Sequence, residues 1–135
     1  MRSVTPFQRG PGLLNSSHRT TPLNIHSKPG EQAEIYCSHS IDSYNQILWY
    51  KQSQGELQLL GYIYFTDGNP EPGLDVKMHG DANKNKNSTL TMEKLQVSSS
   101  AVYFCAATTL AGIFFSVQYL VVQAIFGVFA ILVPV

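Results

Sequence analysis

The sequence predicts an all-β fold, two sheets packed face to face, and three observations predict it. Short alternations of apolar and polar residues recur along the chain, about seven or eight of them, divided by turns rich in Gly, Asn, Asp, Ser and Pro. No helical period appears before residue 105. Cys37, Trp49 and the run Tyr103-Phe104-Cys105 each sit on one of these alternations, and the chain holds 2 Cys and 1 Trp in all. Two sheets must be held together over an apolar layer. A disulfide can staple them there, with a large ring packed on it and a tyrosine bonding back at the corner of its strand.

The bulk composition bounds the problem. At 135 residues there is room for one domain of about 100 residues plus ends. The formal net charge is +0, which argues against nucleic acid or a strongly acidic partner. Charged residues make up 13% and are unevenly placed, because Leu95 to Val135 carries no charge and no His. The two Cys are either reduced thiols or a disulfide. Their place on apolar-alternating strands far apart in sequence favours the disulfide, which would stabilise by about 4 kcal/mol in the chain-entropy model. That implies an oxidising compartment, hence a secreted or cell-surface protein. No secretory signal is visible in residues 1–27, whose longest apolar run is Leu13-Leu14. Arg2, Arg9 and Arg19 without acids are weakly like a transit peptide, and an incomplete or misassigned start is the blander alternative.

Taken in order, residues 1–21 carry Pro6, Gly10, Pro11 and Gly12 among Ser, Thr and Asn, and predict a disordered or misassigned segment. Leu23, Ile25 and Ser27 suit a first, edge strand. Gln32 to Ser38 alternates, with Ala33, Ile35 and Cys37 on the inner face. His39 to Asn45 is a polar loop. Gln46 to Gln52 follows as a strand with Ile47 and Trp49 inward, leaving Leu48, Tyr50 and Gln52 outward. Leu57 to Phe65 is a further apolar strand and Thr66 to Pro70 a second loop. Leu74 to His79 is short and alternating, and Gly80 to Asn87 is a polar turn. Ser88 to Leu95 returns as a strand with Leu90, Met92 and Leu95 inward, and Gln96 to Ser100 turns into Ala101 to Cys105.

Ile35-Tyr36-Cys37, Leu48-Trp49-Tyr50-Lys51-Gln52, Leu60-Gly61-Tyr62-Ile63 and Ser100-Ala101-Val102-Tyr103-Phe104-Cys105-Ala106 together resemble a T-cell receptor variable domain, the beta-chain type in particular. The resemblance covers Leu23 to Ala107 and implies an immunoglobulin V-type Greek-key sandwich over residues 22–109. It implies a Cys37–Cys105 disulfide with Trp49 and Tyr103 in the core. It places the antigen-contact loops at His39, Ser40, Ile41, Asp42, Ser43, Tyr44 and Asn45, at Phe65, Thr66, Asp67, Gly68 and Asn69, and at Ala107 and Thr108 after Cys105. Their Tyr, Ser, Asn and Gly suit adaptable contacts. Leu48, Tyr50, Gln52, Leu59 and Phe104 would then meet a second variable-domain chain of the alpha type, as an apolar patch with a polar rim.

The sequence departs from that pattern in places. Family members usually carry an Asp six residues before the second Cys, paired with a basic residue. Here the position is Ser99, which would leave Lys77 free. The family continues into a Phe-Gly-x-Gly segment, whereas Phe126-Gly127-Val128-Phe129 matches three places of the four and arrives late. Residues 110–135 are almost wholly apolar and keep three readings open: a membrane span, the last strand (Phe115 to Tyr119 alternates), or translation past the end of an unrearranged variable segment. A sandwich lacking its last strand would expose an edge that aggregates.

Other chemistry is thin. Asn87-Ser88-Thr89 and Asn15-Ser16-Ser17 are glycosylation sequons, Asn87 being the better placed in its polar turn. His18, His26, His39 and His79 lack metal-ligand spacing. No nucleophile elbow, phosphate loop or carboxylate pair is visible, so neither an enzyme nor a cofactor is expected. The resemblance implies antigen recognition at the extracellular face of the plasma membrane. There the domain would bind peptide displayed by an MHC molecule and leave signalling to associated receptor chains. The alternative is an invariant cell-surface immunoglobulin-type receptor or adhesion module anchored by residues 110–135.

Overall fold

A computed structural model describes residues 23–109 and 124–134. Among these, nine strands build two sheets: β1 Leu23–His26, β2 Ala33–Cys37, β3 Gln46–Ser53, β4 Glu56–Tyr64, β5 Asp67–Pro70, β6 Val76–Gly80, β7 Ser88–Met92, β8 Ala101–Thr108 and β9 Ala124–Leu132. The larger sheet runs β1-β9-β8-β3-β4-β5 and the smaller β2-β7-β6. This is the expected all-β sandwich of the V type, with two extra strands beyond β3 on the sheet that carries β8 and β9.

Periodicity decides the small sheet. Along β2, Ala33, Ile35 and Cys37 are buried while Glu34 and Tyr36 are exposed. On β7, Leu90 lies opposite Ile35 and beside Met78 of β6. From the large sheet, Ile47, Trp49, Ile63, Tyr103 and Cys105 meet them across the layer. Cys37 and Cys105 form the staple, with their Cα atoms 6.4 Å apart. Trp49 is fully buried and its ring centroid stands 6.0 Å from that of Phe129. Burying each such large apolar side chain contributes about 1.5–3 kcal/mol.

The corner before β8 is closed by its tyrosine. Val97–Ser99 makes one 3-10 turn. Tyr103 Oη then donates to the carbonyl oxygen of Ser99 at 2.8 Å, tying the strand to the turn that feeds it. Burial pushes the Tyr103 phenol from its ordinary 10.0 up to about 12, because a phenolate would lose its hydration there.

Three expectations change. Asp67 to Pro70 is not loop: β5 pairs antiparallel with β4, Tyr64 facing Asp67. Its polar sequence hides a strand because an edge strand buries little side chain. Lys77 is not free: its Nζ lies 2.8 Å from Glu93 Oε2, and that hydrogen bond and charge hold the Glu93 carboxyl below its ordinary range. Leu48 and Tyr50 point away from the main core, as expected, yet they are 2% and 1% exposed within this chain. They form a second apolar cluster with Ala106, flanked by Leu57, Leu59, Tyr62 and Phe104.

The apolar tail supplies a strand. Ala124–Leu132 pairs antiparallel with β8 and parallel with β1, closing the edge of the sheet. The register shifts between Cys105 and Ala106, so Phe126 is the extra residue of a bulge and Gly127 faces Cys105. Among the described residues no helix is long and apolar enough to cross a membrane. The expectations for residues 1–21 and for Phe115 to Tyr119 lie outside the described residues.

Candidate ligand-binding end and pairing face

One residue brings the expected contact segments together. Asn45 ends the first loop just before β3. Its amide N donates to the carbonyl oxygen of Thr108 at 3.2 Å, and its own carbonyl accepts from Phe65 N at 2.9 Å. The first loop, the turn after β4 and the end of β8 therefore meet at one end of the sandwich.

Within that end the candidate residues differ in what they offer. Ser40, Asp42 and Ser43 are exposed, and Ile41, Tyr44 and Asn45 are half-buried. Ile41 and Tyr44 pack on the main core. His39 is buried at 4% exposure. Lys84 donates to Asp42 Oδ1 and its hydrogen bond and charge hold that carboxyl below the ordinary range. Ala107 is fully buried inside β8, and Thr108 is half-buried at the strand's end.

The second segment is tighter than its composition suggests. Tyr64 faces Asp67 across the ladder, so Phe65 and Thr66 alone make the turn. Phe65 takes a left-handed φ of 55°, rare for a bulky residue. It is 41% exposed, with its ring edge-on to Tyr64 at 4.6 Å. An exposed aromatic held in a strained backbone is the kind of outlier found at binding sites. Asp67, Gly68 and Asn69 belong to β5, where Asn69 Nδ2 donates to Asp67 O at 3.0 Å.

Sequence reasoning missed Gln46. It opens β3 between Tyr64 and Thr108, fully buried, with neither side-chain oxygen nor nitrogen hydrogen-bonded among the described residues. A Gln flanking a polar loop gives no sequence signal of burial. The loop end thus combines short polar side chains, one exposed aromatic and a buried carboxamide. Such a surface can bind by hydrogen bonding and stacking. Among the described residues no three His, Cys, Asp or Glu are grouped to hold a metal ion.

The outward face of β3, β4 and β8 carries the other candidates. Gln52 is exposed, Leu59 and Phe104 are half-buried, and Leu48 and Tyr50 lie beneath them. Asn87 is exposed on the turn joining β6 to β7, and its carbonyl accepts from Asp81 N at 2.9 Å.

Residues 20–123 match the model of the immunoglobulin V-set domain family. T cell receptor alpha variable 5 of Homo sapiens is 35% identical over 86 residues, which cover 62% of this chain and 74% of that protein. T cell receptor beta variable 7-2 of Homo sapiens is 32% identical over 105 residues, 71% of this chain and 89% of that protein. T-cell receptor beta chain V region C5 of Mus musculus is 27% identical over 84 residues, covering 62% and 68%.

Proposed function

The chain belongs to the immunoglobulin V-set family, among the T-cell receptor variable domains, and from that premise we propose that it is the antigen-recognition domain of such a receptor chain. Its ligand is peptide displayed by an MHC molecule. Its partner is a second variable domain of the alpha type, its place the extracellular face of the plasma membrane, and signalling passes to associated receptor chains. The activity is binding, not catalysis. The observation that carries this reading is the pair of backbone hydrogen bonds that Asn45 makes, one to Thr108 and one from Phe65, which draws three contact segments to one end. Adaptable polar groups and the exposed Phe65 there suit a protein ligand.

The outward face supports the pairing. Leu48 and Tyr50 form a buried apolar floor, and Leu59, Phe104 and Gln52 stand at its accessible margin. We take Asn87 as the glycan site, since its exposed turn leaves a glycan room. The tail reads best as the closing strand of the domain, because Ala124–Leu132 pairs with β8 along its length and its last four residues, Phe129 to Leu132, pair with β1 on the other side.

Full-length transcript sequencing from lymphoid tissue tests the proposal. The expected result is a set of transcripts shared through Ala106 and divergent after it, each ending in a segment that bears Phe-Gly as β9 does. A single invariant sequence through Val135 in every transcript would overturn it and favour the fixed receptor or adhesion module.

A further inference from the structure

His39 stands in a polar loop but is buried, and its ring reaches well beyond that loop. Its Nε2 lies 2.7 Å from the carbonyl oxygen of Ala82, in the turn between β6 and β7. Its Nδ1 lies 3.1 Å from the amide N of Ile41 in the first loop. A carbonyl only accepts and an amide N–H only donates. The two partners therefore fix one neutral tautomer, with the hydrogen on Nε2 and the lone pair on Nδ1.

The main chain extends the grip. The carbonyl of His39 accepts from Asn85 N at 2.8 Å, and Ala82 N donates to the carbonyl of Phe65 at 2.7 Å. His39 is thus joined directly to Ile41 and to the 81–87 turn, and through Ala82 to the Phe65 turn. The Tyr44 ring stands 6.0 Å from the imidazole, centroid to centroid. The Lys84–Asp42 pair spans the same two loops on the outside, but both side chains are well exposed, and exposed pairs hold geometry poorly.

We infer that His39 is a positioning residue: by holding Ala82 and Ile41 with opposite ring nitrogens, it sets the first loop, the Phe65 turn and residues 81–87 as one unit. Its functional meaning rests on the reading of those loops as ligand contacts. Loops fixed before a ligand arrives lose less entropy on binding. Residues 81–87, absent from the expected contact segments, then move with the contact loops rather than independently.

Two conservative variants separate the two grips. In His39→Asn the carboxamide oxygen replaces Nδ1 and keeps an acceptor for Ile41, but it falls short of Ala82. In His39→Gln the carboxamide nitrogen reaches the position of Nε2 and keeps the donor to Ala82, but it leaves Ile41 N–H unaccepted. Residue-resolved amide exchange on the full chain reads the outcome. We expect His39→Asn to keep protection at Ile41 and to lower it about tenfold at Ala82 and Asn85. Those two amides still donate to Phe65 and to the His39 carbonyl, but they open more often once the ring no longer holds the turn. His39→Gln should show the reverse, Ile41 N–H losing its acceptor directly. Core amides of β3, β7 and β8 stay unchanged in both. Equal loss at both loops in both variants, or no loss in either, overturns the inference. Ring nitrogen shifts of the unmodified protein give a second measurement, independent of any variant: the hydrogen on Nε2 is expected, and on Nδ1 would overturn it. Neither measurement needs a ligand, so each succeeds or fails separately from the receptor reading.

Discussion

Gly127 stands opposite Cys105 in the β8–β9 ladder, where a Cβ on the glycine would lie 3.0 Å from the Cys105 sulfur. The same Cβ would lie 2.7 Å and 2.9 Å from two ring carbons of Phe129. Phe129 cannot easily give way, since it is buried with its ring tilted against Trp49. Gly127→Ala should therefore cost about 1–3 kcal/mol by overpacking. Denaturant unfolding of the two proteins at equal ionic strength measures the difference. A variant as stable as the parent would show that the bulge at Phe126 relaxes freely.

The Cys37–Cys105 staple predicts a larger effect. Reducing it, or replacing both residues with Ala, should remove about 4 kcal/mol, because the loop it closes in the unfolded chain is long. Urea unfolding with and without reductant tests this. A shift of a few tenths of a kcal/mol would mean that β2 and β8 are held by packing alone.

Tyr103 predicts a dependence on alkaline pH. Its folded-state pKa is raised to about 12 from 10.0. The unfolded chain therefore gives up the phenol proton first, and the linked stability is full below pH 10. That stability falls away as pH rises from 10 towards 12. Tyr103→Phe removes both this linkage and the bond to Ser99. The variant should be about 1 kcal/mol less stable at pH 8, with the gap narrowing above pH 10. A constant gap from pH 8 to pH 11 would contradict the assignment.

How far the sequence foretold all this depends on burial. Ala33, Ile35 and Cys37 announce β2 because one face is wet and the other dry, and Tyr103 announces its corner by its place before Cys105. β5 was hidden because Asp67, Gly68 and Asn69 pair through their backbone and present no alternation of apolar side chains. Glu93 escaped as the partner of Lys77 because it lies past the end of β7, outside the direct cross-strand pairs. β9 was hidden for the opposite reason. Its residues are apolar on both faces, and an apolar run shows neither period two nor a boundary. His39 and Gln46 look like solvated loop and strand ends, and only the three-dimensional meeting at Asn45 and Ala82 buries them.

The outward face offers a prediction that separates folding from pairing. Leu48 is 2% exposed in the single chain, so Leu48→Ala should cost about 2–5 kcal/mol of stability with no partner present. It therefore cannot serve as a clean probe of an interface. Gln52 can, because it is exposed at the end of the same face. Gln52→Lys should leave the unfolding midpoint where it was. It should weaken association with an alpha-type variable domain by at least about tenfold, since pairing would bury an unmatched charge. Sedimentation of the mixed chains reads the association, and thermal unfolding of the isolated chain reads the stability. If Gln52→Lys associates as tightly as the parent, Gln52 lies outside the pairing surface. The partner would then have to be sought against Leu59 and Phe104 alone.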